Sequence, residues 1–137
     1  FMFPGYMSAS YLTGKYGRKK IMVIYVFMAA VAGFGLARSV SVNELYIWNF
    51  TLSFFSLGAW GVWNTWLGEV YDTRNRGNGT AVGIVSHRIA NSIAPITIGS
   101  ILASSTFNFT VAFISMFFIL TLIATLFLNE TEGVSLK

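Results

Sequence analysis

The chain is organised as five apolar runs separated by short polar connections. They cover 1–14, 21–37, 45–68, 80–103 and 109–128. A helix that crosses the hydrocarbon core of a bilayer takes about 20 predominantly apolar residues. The third, fourth and fifth runs reach that length. The second is near the lower limit, and the first is shorter. Lipid offers no partner to backbone polar groups, so a spanning run must satisfy its own hydrogen bonds as a helix. The pattern predicts an all-α fold of polytopic transmembrane helices. It consists of about four complete spans plus a truncated one, in a single transmembrane unit over 1–137.

The runs differ in kind. The second and fifth are apolar all round, interrupted only by small Ser and Thr, and can face lipid on most sides. In the third, Asn49, Ser53, Ser56, Trp60 and Asn64 recur at helical spacing and form one stripe. In the fourth, Arg88, Asn91, Ser92, Pro95 and Gly99 do the same. A polar stripe on a spanning helix turns toward a watery cavity. Close helix packing through small and amide residues uses the same pattern. The stripes make Asn49, Trp60, Asn64, Arg88 and Asn91 the candidates for a substrate cavity. Arg88 lies about 12 Å along the axis from Thr80. It can snorkel to the surface, pair with Glu69 or Asp72, or contact an anionic solute. His87 beside it is the candidate for proton coupling, or an ordinary hydrogen-bonded helix residue. Pro95 removes one helical hydrogen bond, as helices that bend around a cavity often do.

Composition sharpens this. The chain is 55% hydrophobic and only 10% charged, against about 25% charged in soluble domains. There are no cysteines, which excludes disulfides and thiolate metal sites. The charge sits in the connections. Lys15, Arg18, Lys19 and Lys20 fall in the first, Arg38 in the second, Arg74 and Arg76 in the third, and Lys137 in the tail. Basic and less basic connections alternate, as the positive-inside rule requires. Loops 15–20 and 69–79 and the C-terminus are then cytoplasmic, in a multi-pass protein of the cell membrane. A nucleic-acid patch needs an accessible basic surface. This cluster is pinned between two apolar helices, so the expected surroundings are a lipid bilayer and no nucleic acid. The positive charges follow the first apolar run, the wrong order for a signal peptide. The start reads as a cut through a helix of a longer protein. No metal-ligand spacing occurs, and His87 has no carboxylate pair nearby for acid–base chemistry. No enzyme, cofactor or metal is expected.

Three elements carry a resemblance. "LTGKYGRKKIMVIY" (12–25) resembles the loop motif G-x-L-a-D-r-x-G-r-k-x-x-l of the major facilitator superfamily, through Leu12, Lys15, Gly17, Arg18 and Lys19. Ser10 replaces its first glycine and Gly14 its aspartate. "GEVYDTRNRGNGTAVG" (68–83) resembles the E-x-x-P-T-x-x-R-G-x-G element after the tenth helix in the sugar-porter-like and metabolite–proton symporter branches. Glu69, Thr73, Arg76, Gly77 and Gly79 match, with Asp72 in the proline position. "NETEGVSL" (129–136) is similar to the P-E-T-K-G element after the twelfth helix, through Glu130, Thr131 and Gly133.

The resemblance implies the C-terminal half of such a bundle, from late helix eight onward. The second and fifth runs would be peripheral, and the third and fourth inner. It also implies a cytoplasmic charge network of Arg18, Glu69, Arg76 and Glu130. That network is either a latch holding the inner face shut or a static anchor for helix ends. The implied function is secondary active transport of a small organic solute, a sugar, an organic acid or another metabolite. Transport would be proton-coupled, by alternating access against the missing N-terminal half. Sugar porters carry a tryptophan where this chain has Asn64, which, with Arg88, shifts the expectation toward organic acids. A non-transporting sensor or subunit, or a non-functional remnant on the same scaffold, is the alternative.

Overall fold

The computed structural model describes residues 2–71 and 74–128. Among them the chain forms helices α1 (Met2–Tyr16), α2 (Arg18–Arg38), α3 (Val42–Val70), α4 (Arg76–Ser104) and α5 (Phe107–Phe127), with no strand. The fold is all-α. Each helix covers all or nearly all of one apolar run, and most extend into the polar residues that flank it.

Local chemistry sets the joints. α1 passes to α2 through Gly17 alone, at φ 95°, a backbone conformation that side-chain-bearing residues rarely adopt. α3 starts with a capping box. The Ser41 hydroxyl accepts from the Asn43 N–H, and the Glu44 carboxylate takes the N–H groups of Val40 and Ser41.

α2 is the hub, packed along α3 on one side and α5 on the other, while α1 lies against α3. Ala9, Ile21, Met22, Tyr25, Val26, Ala59, Val62 and Trp66 form the core, with Phe118 and Leu122 of α5 against it. Small residues permit the close approach. Gly33 rests on Ser115 and Gly58 on the Tyr25 ring, with no room at either place for a Cβ.

This corrects one expectation. α2 does not face outward on most sides but buries residues along its whole length, from Ile21 to Ala37. Its Ala- and Gly-rich surface lets neighbours in without a polar stripe to mark it as internal. α4, by contrast, buries no residue against the rest of this chain.

By length and composition, α2 and α5 can cross a membrane among the described residues. α3 and α4, at 29 residues each, are longer than the roughly 20 residues a bilayer requires. Their polar stripes dilute them below the apolar standard that α2 and α5 meet.

Candidate functional site

Two places gather the chemistry. The first is the end of the bundle where α2 begins and α3 and α5 finish. Arg18 grips Glu69 with both arms: Nε donates to Oε2 and Nη2 to Oε1, each at 2.8 Å. This is the bidentate geometry that suits guanidinium and carboxylate. The side chains are 20% and 21% exposed, so the pair is partly withdrawn from water. Arg18 Nη1 also donates to the Thr13 carbonyl at 3.5 Å. Lys19, the next residue, donates to the Leu126 carbonyl in the last turn of α5 at 2.8 Å, where a cation suits the helix dipole. Two consecutive cations thus fasten the start of α2 to the ends of two other helices.

Electrostatics explains why Arg18 and Glu69 need each other. Arg18 opens α2, where the helix dipole disfavours a cation, and Glu69 sits in the last turn of α3, where it disfavours an anion. Each neutralises the other's misplaced charge. Of the network predicted from sequence, the structure joins these two. Arg76 opens α4 with Nε and Nη2 buried and without a hydrogen-bond partner among the described residues. Glu130 lies outside the described residues, as do Asp72 and Thr73.

The second place is a groove of about 610 Å³ walled by α2, α3, α4 and α5. Met22 and Val26 form its floor, Phe118 one side, and Trp60, Trp63 and His87 an aromatic corner. Trp60 and Trp63 sit one turn apart on α3 and stack, with centroids 4.9 Å apart and planes at 22°. The His87 ring lies 4.2 Å from Trp60 and 6.1 Å from Trp63. Asn91, one turn further along α4, holds His87 Nε2 at 2.7 Å through its Nδ2. With the amide nitrogen donating, Nε2 accepts, and a neutral imidazole carries its proton on Nδ1. Ser86 and Thr121 also line the groove. Their hydroxyl protons are spent on the Val82 and Phe117 carbonyls of their own helices. Among the described residues no cluster of metal-ligating side chains forms.

The sequence candidates therefore separate. Trp60 and His87 line the groove, and Asn91 stands behind His87. Asn64 is exposed and folds its amide back onto the Trp60 carbonyl at 3.1 Å. Asn49 and Arg88 are exposed and lie outside the groove. Arg88 is not paired with Glu69, whose two oxygens face Arg18. Trp63 was missed by a stripe drawn through polar positions. The signal for it was the W-x-x-W spacing of 60 and 63, which sets two indoles on one helix face.

Comparison with known proteins adds the following. The family described as Major Facilitator Superfamily matches residues 1–136. The chain is 37% identical over 121 residues to the Bacillus subtilis (strain 168) protein named "Putative niacin/nicotinamide transporter NiaP", covering 88% of this chain and 30% of that protein. It is 28% identical over 137 residues to the "Niacin transporter NiaP" of Acinetobacter baylyi (strain ATCC 33305 / BD413 / ADP1), covering 98% of this chain and 31% of that protein. The chain thus spans about a third of the length of the curated relatives it matches. No solved structure matches it significantly.

Proposed function

The chain belongs to the major facilitator superfamily, and from that premise we propose that it forms the C-terminal part of a secondary transporter for a small, planar, vitamin-like organic solute. The observation that carries this reading is the aromatic and polar corner of Trp60, Trp63 and His87 inside a helical membrane bundle. Apolar and aromatic walls with a few polar groups are the usual lining of a small-molecule site. The relatives' names point to a pyridine-type solute. Together with Asn64 at the sugar porters' tryptophan position, this favours an aromatic organic acid or its amide over a sugar. Such a protein moves its solute without chemical change, so no enzyme activity or cofactor is invoked.

In this proposal loops 15–20 and 69–79 and the C-terminus face the cytoplasm, in keeping with their basic residues. Asn49, Asn64 and Arg88, on surfaces of α3 and α4 that this chain leaves uncovered, turn toward the N-terminal half of the same transporter. Alternating access rocks the two halves against each other, and the latch reading needs in addition that the cytoplasmic ends of α2 and α3 part as they do so. The Arg18–Glu69 pair is suited to be the latch. A partly exposed bidentate pair contributes about 1–3 kcal/mol, enough to bias two states and small enough for solute binding to overcome. Arg76, whose Nε and Nη2 are buried and unpaired among the described residues, and Glu130 are the network's remaining proposed members.

The test is uptake by the full-length protein in a host lacking its own niacin uptake. Saturable accumulation of labelled niacin or nicotinamide supports the reading. Binding without accumulation would instead make the protein a solute sensor on a transporter scaffold.

A further inference from the structure

The outward face of α2 ends in a cavity that neither the solute groove nor the charge network uses. The exposed residues of this helix are Lys20, Ile24, Phe27, Val31 and Arg38, and their spacing puts them on one stripe. Met22, Ala29, Gly33 and Leu36 are buried on the opposite side. Lys20 and Arg38 lie about 27 Å apart along the axis, close to the roughly 30 Å of a hydrocarbon core. A stripe with a cation at each end and apolar side chains between is suited to face lipid. At the Arg38 end it opens into a cavity of about 540 Å³ between the end of α2 and the start of α3. Val31 and Phe34 line this cavity together with Arg38, Glu44 and Trp48. The Trp48 indole lies on Gly35, where no Cβ would fit, so the backbone of α2 fixes the aromatic wall. Glu44 uses Oε2 to cap α3. Arg38 and Glu44 line the same cavity without forming an ion pair with each other.

Two opposite charges held apart in one cavity select the ligand. A lone anion drawn to Arg38 meets Glu44, and a lone cation drawn to Glu44 meets Arg38. A group that carries both signs satisfies the two at once. We propose that the α2–α3 joint binds a zwitterionic phospholipid of the phosphoethanolamine type, taken from the outer leaflet in the orientation given above. The Arg38 guanidinium receives the phosphate, a geometry its planar fork matches. The primary ammonium donates to the Glu44 carboxylate. Trp48 sits at headgroup level, where tryptophan is favoured. An acyl chain then follows Val31, Phe27 and Ile24 down the outward stripe of α2. A quaternary ammonium has no N–H for the carboxylate, so a phosphocholine lipid fits less well. The inference goes beyond the transport reading and does not need it, because a sensor on the same scaffold would hold the lipid equally.

The experiment uses the full-length protein in detergent, supplied with phosphatidylethanolamine, phosphatidylglycerol or phosphatidylcholine of identical chains. Retained lipid is read by native mass spectrometry. The wild type should retain the ethanolamine lipid over the other two. Glu44→Gln still completes a capping box, yet should lower the ethanolamine-to-glycerol ratio by about fivefold, the upper range of an exposed ion pair. Arg38→Gln should weaken retention of all three lipids. A wild type without preference, or an unchanged ratio in Glu44→Gln, overturns the proposal. Displacement of the lipid by pyridine-3-carboxylate would assign the cavity to the solute. A dimer lost in Arg38→Gln would assign it to a second copy. Either result also overturns the proposal. If the variants are not recovered folded, hydrogen–deuterium exchange of the wild type in nanodiscs decides. Slower exchange over residues 38–44 in the ethanolamine lipid than in the other two upholds the site, and equal exchange overturns it.

Discussion

Replacing Glu69 by Gln removes the anion from the bidentate pair while preserving its shape. The amide oxygen still accepts from the Arg18 guanidinium, so a single cation-to-neutral bond replaces two cation–anion bonds at 2.8 Å. Discounted for exposure of about a fifth on each side, the loss is about 2 kcal/mol. If the pair latches the cytoplasmic face, that energy leaves the closed state and not the open one. The closed-to-open ratio then falls by about 30-fold. Uptake by the full-length protein should drop several-fold, while the yield of folded protein in detergent falls only modestly, because the α2–α3 core below the pair is untouched. The charge-swapped double variant, Arg18→Glu with Glu69→Arg, gives a sharper reading. It restores the pair and also places an acid at the start of α2 and a base at the end of α3. Each is then favoured by its helix dipole by about 0.3–1 kcal/mol. A latch predicts a more heat-stable protein that turns over more slowly than the wild type. Normal uptake by Glu69→Gln refutes the latch, and a static anchor predicts that the swap restores stability without slowing transport.

Other outcomes follow from single positions. Gly17→Ala forces a side chain into φ 95°, which costs about 1–3 kcal/mol, and should lower the melting temperature of the purified protein. Gly58→Val drives its side chain into the Tyr25 ring at the α2–α3 contact. Overpacking of this kind costs about 1–3 kcal/mol or more, and folded protein recovered by size-exclusion chromatography should fall sharply. Lys19→Met removes the ammonium from the Leu126 carbonyl and should lower thermal stability by about 0.3–1 kcal/mol, with salt narrowing the difference from the wild type.

Much of the helical layout was legible because its causes are local. In lipid each segment must close its own hydrogen bonds, so apolar runs punctuated by charge translate directly into helices. Gly17 was visible as a motif residue, but its part in joining two helices within one residue was not. The site was half legible. Helical spacing drew attention to Trp60, Arg88 and Asn91, and His87 entered only as the neighbour of Arg88. Successive residues on a helix point about 100° apart, so only one of the two can face α3, and spacing alone does not say which. Trp63 escaped because an apolar side chain beside a polar stripe carries no contrast.

What the amino-acid order determined by itself is the material: five helices, two of them striped, a basic cluster at one joint and the family they belong to. What the tertiary structure decided is the choice among equals. α2 became the hub although its composition suits lipid as well as a core, since a membrane offers no hydrophobic contrast to tell a buried apolar face from an exposed one. Arg18 meets Glu69 because the α2–α3 packing brings that carboxylate into bidentate reach. His87 meets Trp60 where Gly83, one turn before it on α4, lets the Leu67 side chain of α3 come close. Each of these outcomes depends on distance across the bundle, a quantity that no one-dimensional pattern contains.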